Sequence, residues 1–407
     1  MSYINYVGIN TDNATGTAFG RLRVASPSYV FDTNFQYDLQ PLVFEQIASG
    51  SGATVTHDAT NRNAVMTFSS TPTGGSAIMQ TYEHFRYQAG RSQLIFATFN
   101  FLGGTENVLK FVGYSDGNNG ICLQMNGTTP RIALLSDTDK GDEFVNQAQW
   151  NVDRLDGTGP SKINLDFTKT QILVIDLQWL GVGRVRVGFD IDGVVVTAHQ
   201  FTHANYQTVP YMQTANLPIR AGMTSSGTVS STMRFICASV TSEGGTSDLA
   251  GYTHVQTVSA QAAQDARTHI LSIRPRTTFN SITNRVKFVL ENLDVVVTGN
   301  APVYWELVLG QAITGTTTYN NVNTTYSAFE YNSAGTISGS PVVILGAGYV
   351  PSSSGTKGAL NKAVSTRYPI TLDAAGLVRA NGTISLLATG IGNASNMRAS
   401  VTWTEIR

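Results

Sequence analysis

Charge is scarce in this sequence. Only 13% of its 407 residues are Asp, Glu, Lys or Arg, and the formal net charge is −1. Nucleic-acid binders draw most of their affinity from neutralised phosphates, so this balance excludes nucleic acid as a partner. No basic run and no acidic tail is present either. Long apolar runs are also missing: the longest are strand-sized, so no membrane insertion is expected. The opening Met1-Ser2-Tyr3-Ile4-Asn5 lacks the basic start and apolar run of a secretory signal. Cysteine is limited to Cys122 and Cys237, far apart in strand-like runs. They read as two buried free thiols of a protein made in a reducing cytosol. No repeat with a period of roughly 20–50 residues occurs, which excludes a solenoid or propeller.

Catalytic signatures are equally thin. There is no Gly-x-Ser-x-Gly elbow, and the 6 histidines lie in no triad context. His199 and His203 have the spacing that chelates zinc on a helix, but on a strand roughly 13 Å separates them. They read as two sheet-surface histidines. Asp137, Asp139, Asp142 and Glu143 place four carboxylates in seven residues. The spacing misses a calcium loop, with glycine one place early and Lys140 among the ligands, so an exposed acidic loop is expected. Asp190 and Asp192 alternate as a glycosidase pair would, yet Asp192-Gly193 is what a hairpin tip wants. Gly181 and Gly183 precede no helix and form no phosphate loop. The residues alone therefore imply no catalytic site, no metal and no cofactor.

What the sequence has is alternation. It is 42% hydrophobic with 39 glycines and much Thr, Ser and Asn, a composition for an all-β protein. Leu173, Ile175, Leu177 and Trp179 fall on every second position, as do Val185, Val187, Phe189 and Ile191. A period of two puts these side chains on one face and Arg184, Arg186 and Asp190 on the other. A two-residue turn at Asp192-Gly193 pairs Phe189 with Val196 and Val187 with Ala198. Further strands are read at 53–57, 63–68, 77–82, 93–101, 107–114, 121–125, 131–135, 218–223 and 233–240. Short strands with turns between them mean a sandwich or jelly roll.

The length implies more than one domain. Residues 1–48 read as an aromatic docking arm without clean period, and 49–245 as a jelly-roll sandwich. A linker at 246–270 and a second, smaller β-sandwich at 271–407 follow. Ser259–Arg267 is the one stretch that reads as either a short helix or an extended linker. Strands of the second body fall at 286–290, 295–298, 303–309, 342–345, 383–388 and 399–406. Tyr206, Tyr211 and Tyr252 lie in polar segments and are candidate contacts for a glycan or partner.

The strand order from Ala53 to Val240 resembles the concanavalin A-like jelly roll, a fold that carries many functions. Its hydrolases have a Glu-x-Asp-x-Glu strand, which is absent here. Four phrases resemble virion structural proteins of tailed bacteriophages. They are Phe19 to Pro27 with Phe31-Asp32, Gly183 to Gly193, Leu271 to Asn280, and Tyr368 to Asp373 with Val401 to Glu405. The resemblance implies a non-enzymatic virion component of fibre, baseplate, tail or head-decoration type, assembled in the host cytoplasm as a homo-oligomer with other virion proteins. Phe19, Arg21, Arg23 and Phe31 would be its assembly contacts. The alternatives are a receptor-binding or adhesion protein for host surface polysaccharide, and a polysaccharide depolymerase.

Overall fold

Leu173, Ile175 and Leu177 enter one core together with Val185, Val187 and Phe189, as their alternation requires. In this computed structural model the chain divides into two compact units, residues 1–247 and 248–407. The structure describes residues 17–18, 27–244, 251–315, 318–352, 358–360 and 368–407. Among these the only helical pieces are the 3-10 turns Gln147–Gln149 and Ala380–Gly382, and the rest is strand and loop.

The described residues of the first unit hold fifteen strands. They are β1 (Ser28–Asn34), β2 (Phe44–Ser49), β3 (Ala53–Asp58), β4 (Asn63–Thr71), β5 (Ser76–Thr81), β6 (Gln93–Asn100), β7 (Val108–Ser115) and β8 (Gly120–Asn126), then β9 (Thr129–Leu135), β10 (Glu143–Asn146), β11 (Gln171–Leu177), β12 (Val185–Ile191), β13 (Val194–Phe201), β14 (Ile219–Ser225) and β15 (Val229–Ser242). They form two antiparallel sheets. One runs β13-β12-β11-β6-β15-β4-β3, with β1 beside β15, and the other runs β10-β9-β8-β7-β14-β5-β2. The chain crosses between the sheets repeatedly, which makes this a jelly-roll sandwich. Each fully buried Leu, Val, Ile or Phe between the layers contributes roughly 1.5–3 kcal/mol.

The Asp192-Gly193 tip has φ of 52° and 83°, the positive pair that a type I′ turn needs. Phe189 pairs with Val196 as expected, but Val187 pairs with His199 rather than Ala198. A bulge makes the difference. It frees the Ala198 carbonyl to accept the Val152 and Asp153 amides at 3.1 and 3.0 Å.

The expected arm does not extend to residue 48. β1 lies along β15 and β2 along β5, so residues 28–49 supply edge strands to both sheets. Phe35 and Phe44 are fully buried with Phe235. Aromatic side chains without clean period belong here to the sandwich's own core.

The second unit is a smaller sandwich. A sheet containing Gly251–Ala262, Ser395–Ile406 and Lys287–Val297 faces a six-stranded sheet containing Thr268–Pro275, Ile384–Gly390, Val303–Leu309 and Val343–Val350. Leu290, Val295 and Trp403 of one layer meet Leu271, Trp305 and Leu386 of the other in a common core. The expected linker is largely strand, because Gly251–Ala262 pairs along its whole length with Ser395–Ile406. Ser259–Arg267 is accordingly not helical; pairing overrides the helix preference of its alanines. The two short strands read at 286–290 and 295–298 are one strand with a bulge between Leu290 and Asn292.

Candidate functional site

The outer face of the β10-to-β2 sheet carries two rows of side chains that cross its strands. Antiparallel register aligns Ala133 of β9 with Cys122 of β8, then Gly113 of β7, Arg220 of β14, Gln80 of β5 and Glu45 of β2. The neighbouring row is Arg131, Gln124, Phe111, Gly222, Ile78 and Ile47. The alternate residues of these strands, among them Ile121, Leu123, Val112, Ala221 and Met79, fill the core.

Although they point outward, the central members of these rows are covered. Their exposure runs from 1% at Gln80 through 3% at Cys122, 4% at Ile78 and 5% at Gln124 to 9% at Phe111. Ile78, Phe111, Cys122 and Ala133 are buried yet stand apart from the core cluster. Arg220, between Gly113 and Gln80, is half-buried, as are Arg131, Glu45 and Ile47 at row ends, while Ala133 at the remaining β9 end is fully buried. These covered side chains form a patch on the outer face of the sheet, outside the core. Two glycines keep its floor low. A Cβ at Gly113 would lie 2.7 Å from the Cys122 Cβ, and one at Gly222 2.8 Å from Ile78 Cγ1. Glycine inside a strand marks such close approach.

Planar polar groups stand on this floor in pairs. The Arg131 Nε donates to Gln124 Oε1 at 2.7 Å, and Arg220 donates to Gln80 Oε1 and, at 3.3 Å, to the Asp116 carbonyl. Burial holds both guanidinium groups below the ordinary arginine range, with Asp116 and Glu45 drawing Arg220 partly back. Burial also pushes the Cys122 thiol up to about 12, against the pull of a Gln124 hydrogen bond and both arginines. Cys122 is therefore a thiol at neutral pH and no activated nucleophile. Amide edges, guanidinium forks and the Phe111 ring together can hold a planar, hydroxyl-rich or anionic ligand.

At the rim the Arg131 guanidinium lies 4.2 Å over the Phe144 ring, which is 44% exposed. The acidic loop lies nearby and is internally bonded. Asp142 accepts the Ser136 amide at 2.8 Å, and Lys140 pairs with Glu143 at 2.9 Å. Buried Asn119 ties this loop to the segment after β13 by accepting the amides of Asp137 and Gln213. Among the described residues no group of three or more His, Cys, Asp or Glu side chains is placed to hold a metal ion.

The residues picked from sequence lie elsewhere. Phe19, Arg21 and Arg23 fall outside the described residues. Phe31 sits in β1 with its ring 4.7 Å from Phe85 and packs against the protein's own core. Tyr206 is 81% exposed on the turn after β13. Tyr252 belongs to the second unit, half-exposed beneath the Arg407 guanidinium. Tyr211 is not a surface ring: it is fully buried, stacked 4.1 Å from His203, and donates to the Gln178 carbonyl at 3.0 Å. The histidines are likewise not on the surface. His199 accepts the Asn151 amide through Nδ1, and His203 donates from Nδ1 to the Gly183 carbonyl. Asp190 caps the hairpin by accepting the Gly193 amide at 2.9 Å. Cys122 and Cys237 are free thiols, the second only half-buried.

No family model matches the sequence, and a comparison with curated proteins finds no match. Solved structures with a similar layout exist at low identity. An immunostimulatory antigen and pseudo beta-1,3-glucanase of Mycobacterium tuberculosis is 12% identical, with a TM-score of 0.36 over 52% of this chain and 98% of its own. A carbohydrate esterase of Shiga toxin-encoding bacteriophage phi24B is 12% identical at a TM-score of 0.31, over 53% and 99% of the two chains. The Bacillus licheniformis beta-glucanase is 11% identical at a TM-score of 0.31, over 52% and 96%. This finding overturns the expectation that the chain is not an enzyme. A missing Glu-x-Asp-x-Glu strand excludes one catalytic arrangement and no more.

Proposed function

We propose that the chain is a saccharide-binding protein that holds host surface polysaccharide on the recessed outer face of the β10-to-β2 sheet, the receptor-binding role. The observation that carries this reading is the double row itself, where Gln80, Gln124, Arg131, Arg220 and Phe111 stand on a floor lowered by Gly113 and Gly222. A few convergent polar groups beside an aromatic face, in a recess outside the core, is the arrangement of a ligand site. The phage setting comes from the sequence resemblance, and attachment to a particle is part of the proposal.

A glycan array probed with the purified chain, beside a Cys122→Phe variant, tests it. Phenylalanine at the centre of the floor fills the recess and should abolish the hits, while its thermal unfolding reports that the sandwich persists. No hit for the parent chain, or unchanged hits for a folded Cys122→Phe variant, refutes the reading. Following polymer length in the same samples reads out cleavage separately.

A further inference from the structure

We propose that the recessed face selects an anionic saccharide, with the carboxylate groups of an acidic polysaccharide held by Arg131 and Arg220. This deepens the saccharide-binding reading and rests on it. Both arginines project from the same face, on β9 and β14, which stand three strand spacings apart with β8 and β7 between them. At the usual spacing that is roughly 14 Å. Cys122, on β8 between β9 and β7, feels the charge of both.

Each guanidinium has five N–H donors in a planar fork. The protein engages few of them. Arg131 gives its Nε to Gln124, and Arg220 gives one terminal nitrogen to Gln80 and the Asp116 carbonyl, all uncharged oxygens. Among the described residues no carboxylate forms an ion pair with either one. Nearby acids have donors of their own. Asp116 accepts the Asn118 and Asn119 amides at 2.9 and 2.7 Å, Asp142 accepts Ser136, and Glu143 meets Lys140. Glu45 stands next to Gln80 at the β2 end of the row, on the far side of Arg220 from Arg131.

Two half-buried cations braced by amide oxygens, neither in a direct ion pair although Asp116 and Glu45 act on Arg220 at longer range, present their fork geometry to whatever enters the recess. Charge-assisted bonds are about twice as strong as neutral ones, and the guanidinium matches a carboxylate in both shape and charge. The rest of the floor, Ile78, Phe111 and Cys122, offers contact area to any sugar and no preference by charge.

The test compares binding of the full chain to polygalacturonate, to the same polymer after carboxyl reduction, and to neutral dextran, by calorimetry at low and at moderate salt. The inference expects polygalacturonate to bind, carboxyl reduction to weaken binding at least about tenfold, and salt to weaken it further. Arg131→Gln and Arg220→Gln should each weaken the acidic polymer similarly. Because Arg220 braces Gln80, the carboxyl-reduced polymer provides the same comparison on an unaltered protein. Equal binding of native and reduced polymer, or tighter binding of dextran, overturns the anionic inference and leaves the saccharide reading intact. Failure of every polymer here, together with a blank glycan array, overturns both.

Discussion

Lys110 offers a sharp test of how the first sandwich holds a charge in its core. It occupies an inward position of β7, between Val108 and Val112, and is 0% exposed. Its ammonium donates to the carbonyls of Phe101, Gly103 and Thr232 at 2.5, 3.0 and 2.9 Å. Phe101 and Gly103 lie in the loop after β6 and Thr232 on β15, so one side chain of β7 ties that loop and that strand together. Methionine at this position keeps the apolar stem and fills the space, removing only the cation. Three bonds from a charged donor are together worth roughly 4.5–9 kcal/mol. Removing the ammonium also returns a desolvation cost of several kcal/mol. We expect the bonds to win, with Lys110→Met less stable by about 2–4 kcal/mol at pH 7.

Urea unfolding of the full chain measures this, followed by tryptophan fluorescence and by circular dichroism, and the loss should appear in one of two transitions. The pH dependence has a definite sign. Burial pulls Lys110 down to about 8 from 10.5, so the folded form releases its proton first. Between those values the unfolded chain binds more protons, and wild-type stability rises with pH. The Met variant lacks that rise, so the gap between the two proteins widens from pH 8 to pH 10. A Met variant as stable as wild type at pH 7 would refute the reasoning, because desolvation would then outweigh the three carbonyl bonds.

Two further outcomes follow from buried polar groups. Burial holds His199 down to about 4, so its ring is neutral well below the pH at which a free histidine charges. The unfolded chain takes up that proton first as pH falls below 6.5, and stability is lost from there toward pH 4. Proton NMR of the His199 ring checks this, and a midpoint near 6.5 contradicts it. In the second unit Glu405 is fully buried and accepts Ser327 Oγ at 2.6 Å, the Ala328 amide at 2.8 Å and Trp403 Nε1 at 3.1 Å. Glu405→Ala strands three buried donors and should cost about 3–5 kcal/mol, while Glu405→Gln keeps an acceptor and costs less. Chemical denaturation of both variants decides, and equal losses would mean that cavity formation dominates.

The sandwich was legible wherever apolar side chains alternate on one strand. Positions 173–191 show their inward set in the sequence itself, and Asp192-Gly193 announces the turn. Features set by a partner strand were not legible. The bulge that moves Val187 onto His199 sits opposite the residue that reads as regular, and the strand Gly251–Ala262 owes its form to Ser395–Ile406. Inward polar residues mislead the same reading: Lys110 and Glu405 occupy core positions of otherwise alternating strands, where a polar residue predicts the wet face. Phe31, Phe35 and Phe44 look like a detachable arm because edge strands pairing with distant segments leave no local period.

The recessed face was hidden for a related reason, and the reason bears on how such sites arise. Gln124, Arg131, Gln80 and Arg220 are unremarked one at a time, since an outward polar residue on a strand is ordinary. They become a site because β7 lies beside β14 and β14 beside β5, contacts between residues more than a hundred positions apart. Arg220 and Gln80 are 140 residues apart in the chain. Nor does either glycine announce a recess: Gly113 and Gly222 read as weak points in two strands until the sheet sets each beside the side chains it would strike. A face assembled in this way can change its polar members without disturbing the alternation that builds the core. Substitutions at Arg131, Gln124 or Arg220 should therefore alter what the recess holds far more than whether the sandwich folds.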